Sequence, residues 1–425
     1  MASSQFMDRH PLIEVRRNSV VSRKTRLGAI ATLSIAALLT GCAAGSDASG
    51  ADVAGADETY LIYADVSLTG VLAASSQAQV EGLTAAVEAI NADGGVDGRQ
   101  LELKIVDDQL DASKATTLLQ EQLDSRKPDF VYHGVSSNIA LAMLPLLTRN
   151  EVFSMGTPSN DKINDQEAYP YAFALQVQAS LDAENAVQRL QKEGITKVAM
   201  ITNSDANGQN AADNYKKAFE DAGIDAAFEI YAPADLDMTA QLQRLRATDP
   251  EVLFVEGYGA PGGYVLQSRT KIGWDIDTWG TNSIGNGVNL KLVSSEEDWV
   301  NVQTTIHPIN TAQRESADTE AFKTLIASLD EQGSKFDQSM QLYSYPWDGL
   351  YLWKAAVEQA GSSEAADVAE AMENLKAPEG ERAWVTFPLD SYYSAENHFI
   401  NLTPEEAFIY VNAGPMSRGT IEPVE

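Results

Sequence analysis

Cysteine is all but missing from this chain: Cys42 stands alone among 425 residues. A single thiol excludes any internal disulfide framework. Histidine is scarce as well, and beyond residue 41 only His133, His307 and His398 remain, spaced too widely to announce a metal cluster. Basic side chains are outnumbered, 30 against 61 acidic ones. Such a surface repels phosphate backbones and anionic headgroups, which excludes nucleic-acid binding and attachment to membranes through basic residues. The acidity itself reads as a solvated surface and says nothing of a ligand. The apolar run 27–39 has 13 residues, short of the roughly 20 a helix needs to cross a bilayer.

What the chain does have begins with that run. Arg16, Arg17, Arg23, Lys24 and Arg26 precede it, and small residues come after it, the three-part order of a secretory signal peptide. Leu39-Thr40-Gly41-Cys42 resembles the lipobox of bacterial lipoproteins, in which the thiol accepts a lipid. Cleavage before Cys42 and lipidation there are therefore expected, with residues 1–41 as leader. Arg16-Arg17 is only a weak match to twin-arginine export, and ordinary secretion is the preferred route. Removing 1–41 takes away 6 of the basic and 2 of the acidic side chains and leaves a net charge of about −35. The remaining 384 residues, drawn from a chain that is 44% hydrophobic, are enough for two cores, since one core seldom outgrows roughly 250–300 residues.

Residues 42–59 are rich in Ala, Gly, Ser and Asp, the composition of a flexible spacer. From Tyr60 onward short apolar runs alternate with amphipathic stretches. Tyr60-Leu61-Ile62-Tyr63-Ala64 is followed by Val80, Leu83, Val87 and Ile90 at helical spacing. The unit recurs as 101–106 with Leu118, Leu119 and Leu123, and as Phe130-Val131-Tyr132 with Ile139, Ala142, Met143 and Leu146. Pro145 should kink that last helix. A second series contains Val198-Ala199-Met200-Ile201 and Val252-Leu253-Phe254-Val255, apolar throughout as strands buried on both faces must be. Tyr215, Ala218, Phe219 and Ala222, and later Leu350, Trp353 and Val357, mark helices. The pattern predicts two doubly wound α/β lobes, with a site in the loops after Ala64, Tyr132, Ser154, Thr202 and Val255.

Three motifs bear on chemistry. Gly257-Tyr258-Gly259-Ala260-Pro261-Gly262 spells a dinucleotide fingerprint. Pro261 denies the loop a backbone donor, however, and the motif comes late in the chain, so a flexible turn at a cleft edge is preferred and a nucleotide-dependent enzyme is a distant alternative. Asp107-Asp108-Gln109-Leu110-Asp111 resembles an Asp-rich magnesium motif. Its first two residues end a strand and Asp111 is placed to cap the next helix, which accounts for it. In His133-Gly134-Val135-Ser136-Ser137-Asn138 a strand end passes into a helix start. There the hydroxyls and free N–H groups suit a carboxylate, or Ser137 is simply a helix cap; both readings stand on these residues. No catalytic constellation is visible, and neither an enzyme nor a cofactor is expected.

The stretch Ile90-Asn91-Ala92-Asp93-Gly94-Gly95-Val96-Asp97-Gly98-Arg99, with Leu101-Glu102-Leu103, Asp107-Asp108, Asp111 and Lys114-Ala115, closely resembles the leucine/isoleucine/valine-binding family of ABC-transporter solute-binding proteins. Ser67-Leu68-Thr69-Gly70, Gly134-Val135-Ser136-Ser137 and Ser204-Asp205-Ala206-Asn207-Gly208-Gln209 extend the likeness toward the C-terminus. The resemblance implies the type I periplasmic-binding fold, two parallel-sheet lobes joined by a three-stranded hinge that closes on ligand. By analogy the lobes are 60–176 plus 308–378 and 177–307 plus 379–425. It implies a carboxylate corner at Ser136 and Ser137 with Pro158 and Ser159, and cleft aromatics at Tyr258 and Trp347. Two departures stand out: Asn207-Gly208 where many members have Tyr-Gly, and Asn282 where amino-acid binders place a carboxylate for the ligand ammonium. Burying an ammonium without an opposite charge costs several kcal/mol, so Glu256 is the alternative source of charge, and an amide, a hydroxy or aromatic acid or a peptide-like solute becomes an alternative ligand. The function implied is a lipid-anchored, monomeric receptor outside the cytoplasmic membrane, serving an ABC permease with amino acids or related small carboxylates or amides. A sensor lipoprotein of the same fold is the alternative.

Overall fold

Two parallel sheets organise the molecule, and both put the carboxyl ends of their strands at the same gap. The computed structural model describes residues 59–257, 260–285, 287–312, 319–376, 384–387, 389, 391–412 and 416–422. The expected leader, Cys42 and most of the spacer lie outside the described residues. In the first sheet, β1 (Tyr60–Val66), β2 (Leu101–Asp107), β3 (Phe130–Tyr132), β4 (Ser154–Gly156) and β5 (Ala172–Ala174) run parallel in the order β2-β1-β3-β4-β5. In the second, β6 (Lys197–Asn203), β7 (Asp225–Tyr231), β8 (Val252–Val255), β9 (Asp277–Gly280), β10 (Val302–Ile306) and β11 (Ile409–Asn412) lie in the order β11-β10-β9-β8-β6-β7. Only β11 runs antiparallel, against β10.

The burial of each strand reflects its place. All seven residues of β1 are buried, as an interior strand covered on both faces requires, whereas the edge strands β2 and β7 alternate or stay partly exposed. Helices α1 (Ala73–Ala92), α2 (Ala112–Ser125) and α3 (Ser137–Arg149) come after the first three strands. In the second series α4 (Ala179–Glu193) precedes β6, and α5 (Ala206–Asp221), α6 (Thr239–Arg246) and α7 (Ala260–Lys271) come after β6, β7 and β8. Then come α8 (Gly287–Leu292), α9 (Glu320–Gln332), α10 (Gln341–Ala360) and α11 (Ala365–Glu373). One face of the first sheet is covered by α1, α9, α10 and α11, the other by α2 and α3. On the second sheet α4 and α5 cover one face and α6 and α7 the other. These are doubly wound lobes, as the alternating pattern predicted. Asp111 caps α2, accepting from the N–H groups of Ser113 at 2.8 Å and Lys114 at 3.1 Å, and Pro145 lies inside α3.

The chain passes between sheets three times: after β5 into α4, after β10 into 307–311, and through 401–408 into β11. These crossings touch. The Ile400 N–H donates to the Gln176 carbonyl at 3.1 Å, and Val177, Ala407 and Phe408 share a small apolar cluster. By the family analogy 379–425 belong to the second lobe. In the structure Val385, Tyr392, Tyr393 and Ile400 lie in the first sheet's core, and the strand that this stretch gives to the second sheet is β11. Tyr393 shows why: its ring packs edge-on against Phe173 of β5 at 5.1 Å, and its hydroxyl donates to the Ala174 carbonyl at 3.2 Å.

Candidate functional site: the cleft between the sheets

The first wall is built where β3 and β4 end. Ser136 is the cap of α3, accepting from the Ile139 N–H at 3.4 Å, while the Ser137 hydroxyl is buried without a hydrogen-bond partner among the described residues. The Thr157 N–H donates to the Gly134 carbonyl at 2.9 Å, and its hydroxyl accepts from Gln79 Nε2 at 2.7 Å. The two strand ends are thereby fixed to each other and to α1. Helix α10 adds Gln341, Leu342 and Tyr345, positions one turn apart and hence on one side of the helix.

The second wall starts at α5. Asp205 caps it by accepting from the N–H groups of Asn207 at 3.1 Å and Gly208 at 3.0 Å, which fixes Asn207 at the mouth. Asn207 Nδ2 reaches Glu256 Oε1 at 3.5 Å, just past β8. Gly257 comes next with φ 146°, a conformation reserved for glycine, and a Cβ there would stand 1.8 Å from the Tyr231 hydroxyl. That hydroxyl donates to the Glu256 carbonyl at 3.1 Å. Packing within the lobe thus accounts for the first glycine of the dinucleotide-like motif.

Hydrogen bonds join the walls. Ser159 Oγ donates to Asn207 Oδ1 at 2.9 Å, and Asn160 Nδ2 donates to the Ala206 carbonyl at 3.1 Å. Asp161 accepts from Asn210 Nδ2 at 2.8 Å, from Asn214, and from the Ser180 hydroxyl at 2.8 Å. The cleft is held closed by this strip, which runs from the loop after β4 onto α4 and α5.

Two adjoining compartments lie behind it. The larger, with about 780 Å³ of free space including its open side, is lined by Leu72, Ser75, Val135, Thr157, Ser159, Gln176, Asn207, Asn282, Ser283, Ser339, Gln341, Leu342 and Tyr345. None of these side chains is charged. The smaller, about 500 Å³, shares Ser159, Gln176, Asn207, Asn282 and Ser283 with it and adds Asp182, Tyr215, Glu256, His307 and Phe408. Here, among the described residues, two carboxyl groups meet no lysine or arginine. Burial pushes Glu256 up to about 7, and burial, then the neighbouring Glu256, pushes Asp182 well above the usual carboxylate range. His307 supplies no compensating charge: burial lowers it to about 4, and its Nδ1 donates to the Ala407 carbonyl at 2.9 Å. Among the described residues no group of three or more His, Cys, Asp or Glu could hold a metal ion, and no helix is long and apolar enough to cross a membrane.

Of the expected site residues, Ser159, Asn207 and Asn282 line the cleft. Ser136, Ser137 and Pro158 are buried beside the lining residues, and partly exposed Val135 and buried Thr157 line the cleft in their place. Trp347 is not in the cleft. It stacks on Tyr351 at 4.9 Å inside the first core and donates Nε1–H to the Trp384 carbonyl at 3.3 Å. The aromatic that α10 turns to the cleft is Tyr345. Tyr258 lies outside the described residues. Asp182, Gln176 and Gln341 went unnoticed in the sequence; only the approach of Asp182 to a strand-end acid distinguishes it, and that is a tertiary fact.

This architecture, two doubly wound sheets closing a polar cleft, matches known proteins. A sequence profile described as Periplasmic binding protein covers residues 66–401. The Leu/Ile/Val-binding protein homolog 3 of Brucella melitensis is 26% identical over 331 residues, 74% of this chain and 84% of that protein. The branched-chain amino acid transporter substrate binding protein LivJ of Streptococcus pneumoniae, solved with isoleucine, superposes with a TM-score of 0.69 at 21% identity, covering 86% of this chain and 98% of its own. An ABC-transporter solute-binding protein of R. palustris, solved with 4-hydroxybenzoate, gives 0.72 at 18% identity, over 87% of this chain and 96% of its own. The chain belongs to the periplasmic binding protein family. Its two doubly wound lobes are the type I fold of that family.

Proposed function

We propose that this protein is the extracytoplasmic receptor of an ABC importer, held at the membrane by lipid on Cys42, and that it takes an amino acid or a related small carboxylate or amide. The observation that carries the reading is the polar cleft, with hydroxyl and amide groups on the first wall and carboxyl groups on the second. In this reading one lobe is built on each sheet, and the three crossings are the hinge. The corner at Val135, Thr157 and Ser159 takes the ligand's carboxylate or carbonyl, next to the start of α3, where free N–H groups and the helix dipole favour negative charge. The Leu/Ile/Val-binding relative and the isoleucine complex support amino acids; the 4-hydroxybenzoate complex supports aromatic acids as the second class to try.

The test is the thermal stability of the processed chain against amino acids, amino-acid amides and aromatic acids. A ligand at 100 times its Kd adds about 2.7 kcal/mol to the folded state. A flat response to every solute refutes solute capture. For the anchor, Cys42→Ala is expected to move the protein from the membrane fraction to the soluble fraction, and an unchanged distribution refutes it.

A further inference from the structure

Asp182 comes from the first turn of α4 and Glu256 from the end of β8, yet both line the smaller compartment of the cleft. Glu256 is 6% exposed, and the side chain that hydrogen-bonds to it, that of Asn207 at 3.5 Å, is neutral. Asp182 Oδ1 is sealed from solvent and has no hydrogen-bond partner among the described residues. Among the described residues no lysine or arginine lines either compartment. Two carboxyl groups in one enclosed space cannot both ionise without a counter-cation, because each desolvated charge costs several kcal/mol and the two repel. A structural ion pair would have brought its own cation. Here the space beside the two carboxyl groups opens onto the ligand cleft, while the Asn282 side chain at the same cleft is an amide and cannot neutralise anything.

We propose, building on the solute-binding reading, that Asp182 and Glu256 form a cation subsite, so that the solute carries a protonated nitrogen that this pair holds while its remainder lies in the uncharged compartment. The specificity-determining acid comes from α4 and β8 rather than from position 282. Because the empty pair retains protons near neutrality, capture of the cation releases a proton to solvent. The titratable groups around the pair act in the same direction: Asp205 opposes ionisation of Glu256, Tyr215 and Tyr410 stay protonated through burial, and His307 stays neutral. Binding therefore tightens as pH rises from about 6 to about 8, up to the point where the ligand's own nitrogen loses its proton.

The experiment screens the processed chain at pH 7 by thermal shift with L-isoleucine, L-glutamine, L-isoleucinamide, putrescine, N-acetyl-L-isoleucine, acetamide, benzoate and 4-hydroxybenzoate. Hits are then carried to calorimetry in buffers of different ionisation enthalpy. Every hit is expected to carry a protonated nitrogen, and about one proton is expected to leave per ligand bound. Glu256→Gln and Asp182→Asn are each expected to weaken binding by about thirtyfold or more, the scale for removing one partner of a buried charge, while their ligand-free melting temperatures stay level or rise. A hit that lacks a cation, or both variants binding within threefold of the unaltered chain, overturns the cation subsite and leaves solute capture standing. Absence of any hit overturns both. A variant that melts early is replaced by Glu256→Asp, which keeps the charge and is expected to restore most of the affinity.

Discussion

The two walls of the cleft are made from the same device, the loop beyond the carboxyl end of a parallel strand, and they differ in what they leave unmet. On the first wall the exposed groups are hydroxyls and amides, and Thr157 is satisfied three ways, through Gln79 and twice through the Gly134 carbonyl. On the second wall two carboxyl groups are desolvated and lack counter-charges. The first wall is therefore a finished surface that orients, and the second is a surface completed only by what it binds. Under the proposed cation subsite, only the second wall gains ionic stabilisation when the cleft is filled, which would make closure depend on ligand.

The contrast can be attacked at its scaffolding first. Gly208, in the first turn of α5, has the Asn203 carbonyl oxygen 2.0 Å from where a Cβ would sit. Helix propensity favours replacing such a glycine by roughly 0.5–1 kcal/mol, but the obstacle is backbone and cannot swing aside. Gly208→Val is expected to cost about 3 kcal/mol or more in urea unfolding, at the upper end of overpacking penalties. Gly156→Ala on the first wall, where a Cβ meets the His133 ring at 2.3 Å, is expected to cost less, since a side chain can shift. Equal losses would erase that distinction.

Next in size is the pH dependence of the ligand-free protein. A carboxyl whose pKa is raised on folding contributes stability that is fully present below its unfolded value and lost as pH rises through the folded one. Glu256, at about 7 against an ordinary 4.5, should therefore lower stability between about pH 4.5 and 7 by roughly 3 kcal/mol. Glu256→Gln should flatten that part of the profile in chemical denaturation. Asp65, buried near the end of β1 and pushed up to about 8, has the same sign and should keep its share in the variant. The buried histidines work oppositely: His133 and His307, both near 4, cost stability as pH falls from about 6.5 toward 4.

The strip that joins the walls gives the third test. Asp161→Ala removes the acceptor shared by Asn210, Asn214 and Ser180. It should open the cleft, raising the radius of gyration in solution scattering and weakening ligand binding about tenfold with little change in melting temperature, a shift of about 1.4 kcal/mol in the closing equilibrium. The smallest effect is expected from Ser159→Ala, which deletes one neutral hydrogen bond to Asn207, worth about 1 kcal/mol. A larger loss than for Asp161→Ala would mean that the serine contacts ligand directly.

The sequence made the scaffold readable and the chemistry of the second wall nearly invisible, for physical reasons. Strand and helix periodicities are local, so β1, β3, β6 and β8 and the cap at Asp111 could be read from neighbours in the chain. Which side of a helix meets a cleft is not local. On α10, Tyr345 and Trp347 are two positions, about 200°, apart, and without knowing where the second sheet lies the larger aromatic looks equally suited. The same holds for the serines: Ser136 caps α3, the role considered for Ser137, and neighbouring positions about 100° apart face different surroundings. Asp182 reads as an ordinary first-turn acid on α4 until the fold sets Glu256 beside it.

The repeated passage of the chain between sheets also sets an order of events. The first core needs Tyr60 beside Trp353, and the Ala174 carbonyl needs the hydroxyl of Tyr393, 219 residues further on. Neither contact exists until nearly the whole polypeptide has left the ribosome. Contacts this distant in sequence slow folding, since loop closure must precede their reward. The face of the first sheet that α9, α10 and α11 cover is therefore completed only late in synthesis, a long interval in which the chain remains threadable.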